Sequence, residues 1–222
     1  AWTLGIASLL LAATYVILPR IIFGSAYADM RLTPYMLAIA VLAVGVKPSA
    51  GHTLRQALAL LALLFFGARV GATTISFAHY HSRHMAALGA LEHIPRGARV
   101  VSFIGMRCDN NWSTARLGHI PALAIVRREA FSNDQWGLAG AQLLTIKKTD
   151  APGFVEDPSQ LVTGPECQHP QWRTLNAALD AVPRRAFDYL WLMDPPTFDH
   201  AKLAGLTPIW SQGADTLYKI NP

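Results

Sequence analysis

About three membrane-spanning helices followed by a small soluble α/β domain is the fold class that these 222 residues predict, on three observations. The chain is 52% apolar and only 15% charged, where an ordinary soluble domain carries charge on about a quarter of its residues. The charges are also unevenly placed. Up to Tyr80 the only ones are Arg20, Asp29, Arg31, Lys47, Arg55 and Arg69, so that the remaining 142 residues hold fourteen basic and thirteen acidic groups. Beyond residue 80 the apolar residues fall into short runs separated by turn residues, as expected when strands alternate with helices.

Residues 2–19 carry no charge, and eighteen residues at about 1.5 Å each span roughly 27 Å, close to a hydrocarbon core. They predict the first crossing. Residues 32–46 predict a second, which at fifteen residues needs local thinning or a partner helix. Residues 56–78, interrupted only by Arg69, predict a third. Ser25-Ala26-Tyr27-Ala28 resembles a cleavage site, but a positively charged start is missing and further apolar runs follow, which argues against a secretory signal. The chain begins without Met, as a processed protein or the tail of a longer polytopic one would. Residues 1–80 are therefore expected as the transmembrane part and 81–222 as the soluble part.

Three crossings put the 20–31 loop and everything after about His79 on one side. Lys47 and Arg55 balance Arg20 and Arg31, so the positive-inside rule leaves orientation open. Cys108 and Cys167 both lie in the soluble part; paired, they would fit an oxidising compartment such as a periplasm, and unpaired they are two separate buried thiols. The pI near 9.5 belongs to the apolar third. With no basic globular face, nucleic acid is excluded as a partner.

In the soluble part, residues 82–93 read as a helix stopped by Pro95 and Gly97. Residues 98–104 read as a buried strand, with shorter strands at 123–126 and 143–146. Residues 147–170, rich in Pro, Asp and Gly, read as a long surface loop. Residues 171–182 place Trp172, Leu175, Leu179 and Val182 on one helical face. Residues 187–193 form another run, apolar but for Asp188, ended by Asp194-Pro195-Pro196. Thr197 can cap a short helix through Leu203, before strands at 208–211 and 216–220. The sum is a small, open, Rossmann-like sheet.

Candidate sites follow from position and chemistry. Cys108-Asp109-Asn110-Asn111-Trp112 leaves the first strand and precedes Arg116 and His119, and in open α/β sheets ligands sit beyond the carboxyl ends of strands. Asp109, Asn111, Arg116, His119 and Asp194, which ends a later strand, are therefore pocket candidates; the bland alternative is an Asx-type turn and a rigid Pro-Pro turn. Asp29 and Arg31 flank an apolar run and either orient a lipid headgroup or brace the loop as a local ion pair. Arg69 either grips a lipid phosphate or snorkels to an interface. His79, His81 and His84 are spaced by two, three and five residues, which scatters their rings around a helix, so no metal is expected there. No phosphate-binding glycine loop, CxxC pair, HExxH or GxSxG is present, and no cofactor is predicted.

Leu18-Pro19, Gly24 and Ala28-Asp29-Met30-Arg31-Leu32, followed by further spans, resemble the late membrane segments of bacterial GT-C-type lipid-linked-sugar glycosyltransferases. Ile94-Pro95-Arg96-Gly97-Ala98-Arg99-Val100, Phe187-Asp188-Tyr189-Leu190 and Thr216-Leu217-Tyr218-Lys219 resemble the small α/β domain that ends many of them. The resemblance implies a multi-pass protein of the bacterial inner membrane with a periplasmic domain. Its donor would be a polyprenyl-phosphate sugar, and its tail would bind a glycan acceptor or brace the membrane core. In that family the catalytic acid lies in an early extracytoplasmic loop that this chain does not contain, so no catalytic residue is carried over. The alternatives are a non-catalytic envelope protein whose α/β domain binds a partner, and a transporter fragment.

Overall fold

The computed structural model describes residues 2–22, 25–26, 29–45, 49, 51–108, 117–137, 145–167 and 172–221. Helix α1, Trp2–Ile17, stops just short of Pro19, because the residue before a proline is disfavoured in the helical region. A two-residue antiparallel pair follows, β1 (Ile21–Ile22) with β2 (Ser25–Ala26). A 3₁₀ turn over Met30–Leu32 leads into α2, Thr33–Ala43, whose Pro34 sits in the first turn, where its missing N–H breaks no helical bond. Helices α1 and α2 are neighbours, and the Ser8 hydroxyl donates to the Met36 carbonyl at 3.4 Å. Neither helix has a buried residue.

Helix α3, His52–Leu88, runs for 37 residues, about 55 Å. Among the described residues it is the one helix long and apolar enough to cross a membrane, and its most apolar stretch has nothing buried. Helix α1 and the Met30–Ala43 segment are apolar but shorter. The chain divides into two compact units within this helix: described residues up to Ile75 belong to the first, and those from Ser76 to the second.

The second unit is built on a mixed sheet. Its strands are β3 (Arg99–Gly105), β4 (Phe131–Ser132), β5 (Leu161–Val162), β6 (Tyr189–Met193), β7 (Leu206–Gln212) and β8 (Asp215–Ile220), ordered β4-β3-β6-β8-β7 with β5 also on β3. Strands β4, β5 and β6 run parallel to β3, whereas β8 is antiparallel to β6 and to β7. The β7–β8 hairpin turns at Gly213, whose φ of 61° at the first turn position is the conformation glycine supplies without strain. Side chains alternate across the sheet. Val100, Ile104, Trp191, Met193 and Leu217 pack with the end of α3 and with α4 (Leu123–Arg128). Val101, Phe103, Leu190 and Leu192 pack with α5 (Leu175–Ala181) on the other face. Helices on both faces bury β6 completely, which explains its unbroken apolar sequence.

Three readings of the sequence are corrected. Residues 123–126, expected as a strand, open helix α4, because consecutive parallel strands such as β3 and β4 need a crossover that leaves the sheet. Residues 147–170, expected as a surface loop, contribute β5 and the buried Ala151, Phe154, Gln160 and Val162. Thr197 is not a cap; the Asp199 carboxylate accepts from the Ala201 amide and starts the 3₁₀ turn His200–Leu203. The strand expected at 143–146 falls partly outside the described residues, and 145 and 146 are not in a strand.

Candidate polar centre at the end of strand β4

Strand β4 pairs with β3 for only two residues, and β5 joins β3 four residues further on. Asn133 fills the gap. Its Oδ1 accepts from the Ser102 backbone N–H and hydroxyl, both at 2.8 Å, and its Nδ2 donates to the Ser102 carbonyl at 3.1 Å. A side-chain amide thus stands in for a strand partner, satisfying a buried peptide group that would otherwise be orphaned. The next residue, Asp134, is turned inward and is 1% exposed.

Three groups meet the Asp134 carboxylate. Its Oδ2 accepts from the Ala122 amide at 3.0 Å, and its Oδ1 lies 2.9 Å from His119 Nδ1 and accepts from Gln160 Nε2 at 3.1 Å. Gln160 Nε2 also lies 2.6 Å from Asp157 Oδ1 and 3.2 Å from the Gly118 carbonyl. Burial pushes the Asp134 carboxyl above its ordinary value; the hydrogen bond and charge of His119 and the Ala122 amide pull it down, and Asp157 adds to the upward push. His119 itself is 70% exposed. His119, Asp134 and Asp157 also present ligand atoms within 4.8 Å of one another.

A cleft of about 310 Å³ opens over this centre, lined by His119 and Asp134 and by the apolar Ile125, Val126 and Trp136. A second, of about 400 Å³, is lined by Glu156, Ser159, Trp172 and Arg173, and Asp157 borders both.

Of the residues singled out from sequence, His119 belongs to this centre. Asp109, Asn111 and Arg116 lie outside the described residues. Asp194 ends β6 with a φ of 44°, exposed, its amide donating to Asp215 Oδ1 at 2.8 Å. Asp215 is fully buried and also accepts from Arg83 at 2.9 Å. Gly105 lies against Asp194: a Cβ there would sit 1.9 Å from the Asp194 carbonyl oxygen. Cys108 and Cys167 form a disulfide with Cα atoms 5.2 Å apart, so neither sulfur is a free thiolate. Within the first unit, Asp29 is partly buried, Arg31 is exposed, and Arg69 is exposed on α3. Asn133, Asp134, Asp157 and Gln160 were missed. The available signal was Ser132-Asn133-Asp134 directly after the apolar pair Ala130-Phe131, which reads equally as a turn.

Comparison of the chain with protein-family models, curated proteins and solved structures finds no match.

Proposed function

We propose that this chain is the C-terminal portion of a multi-pass bacterial inner-membrane protein of the GT-C glycosyltransferase type, whose α/β domain faces the periplasm and binds a glycan acceptor. The observation that carries the membrane part of this reading is α3, whose most apolar stretch has no buried residue. So large an exposed apolar surface suits lipid better than water. In this reading α1 and the Met30–Ala43 segment are the further crossings, each shorter than a hydrocarbon core and matched by local thinning or by partner helices. The Cys108–Cys167 disulfide supports an oxidising side for the tail.

The cleft around Trp172 supports an acceptor with hydroxyl groups. It combines an indole with the carboxylates of Glu156 and Asp157, the Ser159 hydroxyl and the Arg173 guanidinium. Aromatic faces stack on the C–H faces of sugar rings while carboxylates and guanidinium groups bind the hydroxyls, a mixture of apolar wall and few polar groups that suits small ligands. The donor would be a polyprenyl-phosphate sugar, with the guanidinium groups of Arg31 and Arg69 able to meet its phosphate and the Asp29 carboxylate able to accept from a sugar hydroxyl.

Topology and acceptor binding test the reading separately. Ser25→Cys and Lys147→Cys variants in intact cells are both expected to react with a membrane-impermeant thiol reagent, and labelling of only one removes the three-crossing arrangement. Trp172→Ala is expected to weaken glycan binding by the membrane-embedded chain about tenfold, roughly 1.4 kcal/mol. Unchanged binding refutes the acceptor role.

A further inference from the structure

We infer that the centre beneath the His119 cleft is a site for a single divalent transition-metal ion, Mn²⁺ or Zn²⁺, held by His119, Asp134, Asp157 and Gln160. The inference does not rest on the membrane reading. Three ligand atoms, one imidazole nitrogen and two carboxylate oxygens, already lie within 4.8 Å of one another. Among the described residues no lysine or arginine forms a salt bridge with either carboxylate, and the one basic side chain paired with Asp134 is His119. Two carboxylates converging beside a buried wall are unfavourable unless a proton or a cation joins them.

Gln160 is an independent indication. Its side chain is fully buried and its amide points into the cluster, yet the donors and acceptors do not balance. Nε2 has two hydrogens and faces three oxygens, those of Gly118, Asp134 and Asp157. Oε1, meanwhile, has no hydrogen-bond partner among the described residues. An amide that strands its acceptor and oversubscribes its donor is placed at a centre with more acceptors than hydrogens. Rotation of the amide by 180° exchanges oxygen and nitrogen with little change of shape. It would bring Oε1 to the same three oxygens, an arrangement that only a cation stabilises. One imidazole with several oxygens is an intermediate donor set, too hard for Cu(I) and provided with a nitrogen that Mg²⁺ and Ca²⁺ seldom use, and it suits a divalent transition metal, of which Mn²⁺ and Zn²⁺ are the two tested below. Trp136, Ile125 and Val126 line the open cleft above, which leaves the centre accessible to an ion from solvent.

The test uses the full chain in detergent or nanodiscs, stripped with a chelator and titrated with Mn²⁺ by electron paramagnetic resonance and with Zn²⁺ by calorimetry. One ion per chain is expected. Asp134→Asn risks unfolding, so the deciding variants are Asp157→Asn and His119→Ala at the partly and largely exposed ligands. Each is expected to weaken binding about tenfold or more. Metal-free Asp157→Asn should melt no lower than the parent, because a repulsive pair is relieved, while losing the upward shift in melting temperature that metal gives the parent. Absence of binding by the parent up to about 1 mM overturns the inference. So does binding that both variants retain and that substitution of His79, His81 and His84 abolishes.

Discussion

Two apolar runs of the same chain meet opposite fates. On α3, Phe65 and Phe66 are 75% and 65% exposed, whereas on β6 Trp191 and Leu192 are 0% and 1% exposed. Composition does not separate them; partners do. Strand β6 lies between β3 and β8 with helices on both faces, so protein supplies its apolar surroundings. Helix α3 before Ile75 has no such layers, and in the membrane reading lipid supplies them. In that reading the stability of each run is set by a different solvent, and a single substitution should register in one experiment and be silent in the other.

The largest expected effect is at β6. Trp191→Ala removes a fully buried indole and should destabilise the α/β domain by about 3–5 kcal/mol in denaturant titration. Phe66→Ala on α3 should leave that transition within about 0.5 kcal/mol of the parent. Equal losses would break the contrast.

The converse substitution is next in size. Leu61→Arg places a charge within the apolar stretch of α3, where Leu61 is 62% exposed, and should disfavour membrane insertion by about 2.5 kcal/mol or more in a translocon assay. Val126→Arg, at a site 79% exposed in the α/β domain, should not alter insertion. Unaffected insertion of the Leu61 variant would remove α3 as a crossing.

Glycines sharpen the contrast at smaller amplitude. Gly105→Ala forces a methyl group onto the Asp194 carbonyl, and backbone must move, at about 1–3 kcal/mol. Gly71→Ala meets nothing within 4 Å and lies mid-helix, where alanine is favoured by roughly 0.8–1 kcal/mol. Thermal unfolding of the α/β domain is expected to shift down for Gly105→Ala and to stay unchanged for Gly71→Ala, whose gain falls on the helicity of α3.

The contrast also explains what the sequence made legible. Strands β3 and β6 stood out because burial on both faces demands an apolar run, broken in β3 between Val100 and Ile104 only by Ser102. Helix α3 stood out because so long an apolar stretch with Arg69 as its one charge has few soluble uses. Helix α4 was opaque: Leu123-Ala124-Ile125-Val126 is apolar, short and partly β-branched, and periodicity cannot separate helix from strand over four residues. Its identity follows from the parallel pairing of β3 with β4, which is not a local property. Strand β5 hid for a related reason, since two residues cannot show alternation. The polar centre was half legible. His119 was marked by its place after β3, but its partners Asp134, Asp157 and Gln160 come from two other segments that only the sheet brings together.

The smallest effect separates the units by pH. Thirteen of the fourteen acidic residues follow Tyr80, so acid sensitivity belongs almost wholly to the tail. Asp188 is its clearest reporter. Its carboxylate takes a two-point grip from Arg99, Nη2 to Oδ1 at 2.6 Å and Nε to Oδ2 at 3.1 Å, and also accepts from the Arg99 amide at 2.8 Å. The side-chain hydrogen bond from Arg99 is the main cause that holds Asp188 below the ordinary carboxylate value; burial opposes it, and the backbone bond and the charge of Arg99 add to the downward pull. Because the folded value is depressed, the stabilisation is complete above the unfolded value of about 3.9 and is lost as pH falls through the folded one. Both side chains are more than a third exposed, so solvent screening limits the contribution to about 1 kcal/mol at neutral pH. Asp188→Asn should therefore lower the stability of the tail by about that amount at pH 7, and the gap between variant and parent should close below about pH 4. A gap that stays constant from pH 7 to pH 3 would show that Asp188 acts through packing and not through its charge.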